Sequence, residues 1–233
     1  MKAYDPGTTV STIVADRPSR SRFFERLGID YCCGGNKPIG ELCAAKGLDA
    51  KSVLDALAAF EAASEKPNNE TDLRGLSTRE LADHIVGRHH AYLRRELPRL
   101  TGIATKVVEA HGDHEPRLVR IDGELAALRR ELELHLDREE RLLFPQLRGD
   151  SPEAEALYPV IAELEKEHRD TGDALRRIRE LTDEYAVPEW ACNTFRAFYD
   201  GLRELEADVH EHVYEENSLL FPRVREVSPL PRP

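Results

Sequence analysis

Aromatic residues make up only 6% of this 233-residue chain, with one tryptophan and one methionine. No apolar run approaches the roughly 18 residues of a membrane-spanning helix, so a bilayer-embedded protein is not expected. The opening segment, MKAYDPGTTV, lacks the apolar core of a secretion signal. Cysteine is scarce too: four in a chain of this length do not make a disulfide scaffold. Two of them, Cys32 and Cys33, are adjacent, an arrangement too strained for ordinary structural bridging. These absences lead us to expect a cytoplasmic protein with reduced thiols. Positive charge is in deficit as well. The 33 Lys and Arg stand against 44 Asp and Glu, a net charge of −11, which disfavours a nucleic-acid partner and favours attraction for cations.

Leu, Ala, Glu and Arg dominate what remains, a composition of long exposed helices rather than sheet. Residues 1 to 62 read as a small helical unit, with short helical patterns over Thr9–Ala15, Ser19–Leu27 and Lys51–Ala62 around a Gly-rich turn, Tyr31-Cys32-Cys33-Gly34-Gly35-Asn36. Residues 63 to 76 contain a polar stretch without an apolar face and read as a linker. Ser77-Thr78-Arg79-Glu80 then carries a capping box that starts a helix. From 77 to 227 four long helical segments can be drawn, about 77–110 with a kink at Pro98, 116–144, one from Ser151-Pro152, and one from Pro188 past Phe221. At roughly 30 residues, or about 45 Å, each, with short connections, they predict an all-α antiparallel four-helix bundle. The Pro-rich tail, 228–233, is expected to be disordered.

The chemistry lies in a duplication. His135-x-x-x-Glu139-x-x-x-x-Phe144-Pro145 recurs as His212-x-x-x-Glu216-x-x-x-x-Phe221-Pro222, 77 positions later. A His and a Glu four apart share one helix face and can reach one centre. A lone histidine precedes each copy: His90 lies 45 residues before His135, and His168 lies 44 before His212. That spacing selects His90 over its neighbour His89. Four imidazoles and two carboxylates exceed the four ligands of tetrahedral zinc and suit iron ahead of manganese. They fit a dinuclear centre of two non-haem irons bridged by the carboxylates, with two His per metal and room for a bridging oxide or hydroxide and a small exogenous ligand.

Glu131 and Asp208 each lie four residues before a His of the repeat, where a carboxylate could orient the ligand through its other ring nitrogen. His210, His84, His89, His111 and His114 are read as surface or hydrogen-bonded structural histidines. The Phe-Pro pairs are read as core residues followed by a helix stop or kink. Cys43 and Cys192 are read as buried small apolar residues. The Cys32-Cys33 pair, exposed on its Gly turn, could exchange disulfides, hold iron transiently or be structural, and reactivity is favoured.

The order His, His-x-x-x-Glu, His, His-x-x-x-Glu resembles the hemerythrin-like domain. It departs from oxygen-carrying hemerythrins at the third helix, where only His168 stands and Gly172 follows at +4, which argues against simple dioxygen transport. Ferritin-type di-iron sites would need a second Glu-x-x-His beside Glu165-x-x-His168. Gly28-Ile29-Asp30-Tyr31-Cys32-Cys33-Gly34-Gly35 is similar to the signature of the small domain fused to such bundles in the iron–sulfur cluster repair proteins, the "repair of iron centres" family. Leu97-Pro98, Glu139-Glu140-x-x-Leu143-Phe144-Pro145 and Glu216-Asn217-x-x-Leu220-Phe221-Pro222 extend the resemblance over almost the whole chain.

The resemblance implies a bacterial di-iron protein with ligands His90, His135, Glu139, His168, His212 and Glu216. It would help restore iron–sulfur proteins damaged by nitric oxide or peroxide, by supplying iron rather than by catalytic turnover. The alternatives are a di-iron reductase of nitric oxide or peroxide, and a sensor of dioxygen or nitric oxide; self-association as a homodimer is left open. No electron donor and no output domain is visible in the sequence to favour either alternative.

Overall fold

The computed structural model describes residues 4–63, 73–147 and 154–227, and among them the chain is helical throughout apart from turns. The expected linker falls mostly at 64–72, the start of the third long helix at Ser151-Pro152, and the tail at 228–233; all three lie outside the described residues. The only pairing of strand type among the described residues is an isolated antiparallel bridge between Thr9 and Pro38.

Four helices form the N-terminal unit: α1 (Val10–Asp16), α2 (Ser21–Arg26), α3 (Ile39–Ala45) and α4 (Ala50–Ala63). Thr9 caps α1, its hydroxyl accepting from Thr12 N. The helix α3 was not foreseen; its apolar signal is one buried pair, Ile39 and Cys43, at a spacing of four. Between α2 and α3 the chain turns at Gly28 (φ 60°) and then at Asp30. The Asp30 carboxylate accepts from the backbone N–H groups of Cys32 (2.9 Å), Cys33 (3.0 Å) and Gly34 (2.8 Å). Gly35 has no room for a side chain, because a Cβ there would run into the Tyr31 carbonyl.

The bundle is built from four rods. The first begins with α5 (Thr78–Ile85), where Ser77 and Glu80 form the reciprocal capping box expected from the sequence, and continues into α6 (Ala91–His111). The second is α7 (Arg117–Arg138) with α8 (Phe144–Leu147), the third α9 (Ala154–Leu181), the fourth α10 (Asn193–Tyr214) with α11 (Phe221–Val227). Buried leucines at helical spacing, Leu93, Leu97 and Leu100 on α6 and Leu125, Leu128 and Leu132 on α7, place α6 against α7. Each such side chain contributes roughly 1.5–3 kcal/mol on burial. Helix α7 also packs on α9, α9 on α10 and α10 on α6, which closes the ring.

Three of the rods are interrupted by π-helical turns, at Val86–His90, Glu139–Leu143 and Glu215–Leu220. A π turn holds one extra residue and rotates the face that follows it, a distortion frequent at functional sites. Here it corrects the expected helix stops. Pro145 and Pro222 are the second residues of α8 and α11, and the helical path runs on through them. A proline lacks the N–H that an α-helix would use there, and the preceding wide turn absorbs that loss. Pro98 lies inside α6, which is continuous across it. The fourth rod starts at Asn193, not near Pro188, with Cys192 as its N-cap residue.

Candidate metal centre

The six residues singled out by the repeat converge inside the bundle beside the π turns, and all are buried: His90, His135, Glu139, His168, His212 and Glu216 are 0–3% exposed. Their donor atoms form two groups that share both carboxylates. One is His90, His212, Glu139 and Glu216; the other is His135, His168, Glu139 and Glu216; within each, the atoms lie within 4.8 Å of one another. Glu139 turns Oε2 towards His90 Nε2 (3.3 Å) and Oε1 towards His135 Nε2 (3.4 Å). Glu216 turns Oε1 towards His212 Nε2 (3.2 Å) and Oε2 towards His168 Nε2 (3.1 Å). Each carboxylate therefore spans both groups. The histidines pair across rods, first with fourth and second with third, a pairing that spacing could not give.

Buried carboxylate oxygens almost always have partners. Yet Glu139 Oε1 and Oε2, Glu216 Oε1 and Oε2, His90 Nε2 and His212 Nε2 have no hydrogen-bond partner. Burial and the adjoining Glu216 push the Glu139 carboxyl well above its usual range. Burial and the neighbouring His212 hold His90 down to about 4, and burial with His168 beside it drives His135 well down. His90 and His135 are thus kept neutral, the form in which an imidazole can donate to a metal. Six unpartnered carboxylate and imidazole atoms gathered in the interior lack the positive charge that bound cations would supply, and the residues present fit iron.

The outer ring nitrogens are held by residues other than those expected. His90 Nδ1 donates to Glu140 Oε1 (2.9 Å), which Arg94 also holds at 3.0 Å. His135 Nδ1 donates to Glu167 Oε2 (2.8 Å), and Arg138 pairs with the same carboxylate. His168 Nδ1 donates to Asn217 Oδ1 (2.9 Å). Glu131 instead is exposed, because Leu132 one turn before His135, and Leu128 a turn further back, fill the inward positions. Asp208 binds His89 Nδ1 (3.0 Å), while His212 Nδ1 has no partner. A carboxylate one turn back on the same helix lies alongside the imidazole, whereas these Nδ1 atoms point across the interface to the next rod. The repeat did contain the signal: Glu140 and Asn217 each follow a repeat Glu by one residue. The repeat phenylalanines behave alike, Phe144 stacking on His90 (5.6 Å between ring centres) and Phe221 on His168 (5.8 Å).

The Cys32-Cys33 turn is seated on this side of the bundle. Asn217 Nδ2 donates to the Cys32 carbonyl (3.5 Å), and Cys33 Sγ lies 3.6 Å from the His168 carbonyl. Both cysteines line a cleft of about 360 Å³ with Glu165, Arg169 and Asn217. The sequence led us to expect an exposed pair, but Cys32 is 8% exposed and Cys33 half-buried, their sulfurs 3.9 Å apart. Hydrogen bonding to Cys33, burial and the Asp30 carboxylate raise the Cys32 thiol well above its usual range, so it is held protonated. Cys43 is buried as expected. Cys192 is not: as the N-cap of α10 it is exposed, with His111 Nε2 3.2 Å away, and the α10 amides together with His111 lower its thiol to about 7. His210 faces the N-terminal unit, its ring 6.2 Å from that of Tyr31, and does not join the six converging residues. His89 is fully buried between Asp208 and Glu215.

Carboxylates and imidazoles gathered inside a helical bundle in this order define the hemerythrin class of cation-binding domains, and residues 81–224 match the Hemerythrin HHE cation binding domain. Residues 6–61 match ScdA_N, a domain of unknown function. Among relatives, the chain is 36% identical over 207 residues to the iron-sulfur cluster repair protein YtfE of Pectobacterium atrosepticum, covering 88% of this chain and 91% of that protein. It is 36% identical over 206 residues to the YtfE of Escherichia coli O157:H7, with the same coverage. It is 34% identical over 219 residues to the iron-sulfur cluster repair protein ScdA of Staphylococcus haemolyticus, covering 91% and 95%. With this identity over nearly its full length, the chain belongs to the family of the iron–sulfur cluster repair proteins. No helix among the described residues is long and apolar enough to cross a membrane.

Proposed function

We propose that this protein supplies iron to iron–sulfur clusters damaged by nitrosative or oxidative stress, from a dinuclear centre held by His90, His135, Glu139, His168, His212 and Glu216. The observation that carries the reading is the set of buried, unpartnered carboxylate and imidazole atoms aimed at two adjacent points. Two irons would be bound there, with His90 and His212 on one, His135 and His168 on the other, and each Glu spanning the pair. Iron supplies redox-active coordination chemistry in such a set. The protein keeps His90 and His135 neutral and orients His90, His135 and His168 through their Nδ1 atoms, and Phe144 and Phe221 shield the lone histidines.

Donation rather than storage is supported by the N-terminal unit. Cys32 and Cys33 line a cleft next to Asn217, which itself holds His168, so two thiols, Cys33 the more accessible, adjoin one edge of the centre. Damaged iron–sulfur proteins would dock at this cleft as recipients. The test is reactivation of a nitric-oxide-damaged [4Fe–4S] dehydratase by the iron-loaded protein. Recovery faster than with an equal amount of free iron supports donation, and recovery no better than free iron rejects it.

A further inference from the structure

Beside the centre lies another carboxylate–imidazole group that the dinuclear reading leaves unused. His84 on α5, His89 in the first π turn and Glu215 in the last bring their donor atoms within 4.8 Å of one another. His84 Nε2 is 3.6 Å from Glu215 Oε2, and His89 Nε2 is 3.3 Å from Glu215 Oε1. His89 is 0% exposed and Glu215 4%, yet His84 Nε2, His89 Nε2 and Glu215 Oε2 have no hydrogen-bond partner. Asp208 Oδ1 sits 3.0 Å from His89 Nδ1. An Nδ1–H donated to Asp208 orients the ring and turns Nε2 towards Glu215, the arrangement that orients histidines on metals.

Two imidazoles and one carboxylate converging with open positions make a known donor set for iron(II) and its neighbours. The group reaches solvent through His84, whose side chain is 22% exposed, and closes against the centre at His89, whose ring stacks on His212 with ring centres 5.5 Å apart. Without a metal the His89 imidazole, raised to about 9 against its burial by Asp208 and Glu215, carries the charge that balances these carboxylates, and a cation would take the place of its Nε2 proton. We propose that His84, His89 and Glu215 hold a third divalent cation of the iron(II) class, with Asp208 positioning His89. The three ligands are distinct from the six of the dinuclear centre, so the site stands or falls by itself.

The full-length protein, loaded anaerobically with iron(II), tests this by metal counting and by anomalous scattering at the iron edge. The expected result is three irons per chain, with the third peak bounded by His84, His89 and Glu215. His84→Ala and the near-isosteric Glu215→Gln should each bind one iron fewer while keeping the coupled pair seen by Mössbauer spectroscopy. Asp208→Asn should weaken the third ion by roughly 10–100-fold. Equal loading of wild type and His84→Ala, with no anomalous peak at this position while the coupled pair is intact, overturns the proposal. A third peak without any coupled pair would uphold this site and reject the dinuclear reading instead.

Discussion

His135 Nε2 lies 3.2 Å from His168 Nε2, although both rings already donate through Nδ1, to Glu167 and to Asn217. With the Nδ1 protons so placed, two lone pairs face each other, a repulsive contact unless an electrophile lies between them. Metal removal by a strong chelator should therefore lower thermal stability. With metal at about 100 times its dissociation constant, binding contributes about 2.7 kcal/mol, which for a chain of this size corresponds to a Tm drop of roughly 5–10 °C. Differential scanning calorimetry before and after chelation measures it; an unchanged Tm would show that these atoms hold no metal.

Because each carboxylate spans both histidine pairs, Glu139→Gln or Glu216→Gln should empty both metal positions rather than one. Metal analysis of the purified variants reads this directly, and retention of one tightly bound iron would contradict a shared carboxylate. His210→Ala, which alters a ring facing Tyr31, should leave iron content unchanged.

Asn217 joins the centre to the N-terminal unit, accepting from His168 and donating to the Cys32 carbonyl. Asn217→Ala should weaken iron affinity by roughly 10–100-fold, the usual cost of removing a group that orients a ligand. Hydrogen exchange around Cys32 and Cys33 should quicken in the same variant. A weakened site with unchanged exchange at the turn would mean that the contact with Cys32 carries no coupling.

The metal-free protein should lose stability on mild acidification. Burial and His212 hold His90 at about 4, whereas in the unfolded chain a histidine titrates near 6.5. Between those values the unfolded state takes up a proton that the folded state refuses, so stability is full above 6.5 and falls until about pH 4. For His90 the loss is on the order of 3 kcal/mol. Glu139 pulls the other way, since its raised carboxyl binds a proton in the folded state first. The difference between wild type and His90→Gln therefore isolates the effect, in denaturant melts from pH 7 to 4. Parallel curves for the two proteins would refute it.

The linear sequence determined a good deal: the four long helices, the capping box at Ser77 and Glu80, and the six residues that meet in the bundle. These are legible because helical spacing and a 77-residue repeat are properties of one strand of chain. Which residues hold the outer ring nitrogens was decided only in three dimensions. Glu131 and Asp208 look suitable one turn before His135 and His212, but it is Glu167 that reaches His135 from another rod, as Glu140 and Asn217 reach His90 and His168, while His212 Nδ1 has no partner.

The π turns, the burial of Cys32, the exposure of Cys192 and the His84–His89–Glu215 group also came from the tertiary structure alone. Each depends on the register between separate rods or on the fit of the N-terminal unit against them. A local pattern says which way a side chain leaves its own helix; what it meets there is set by the packing of helices distant in sequence.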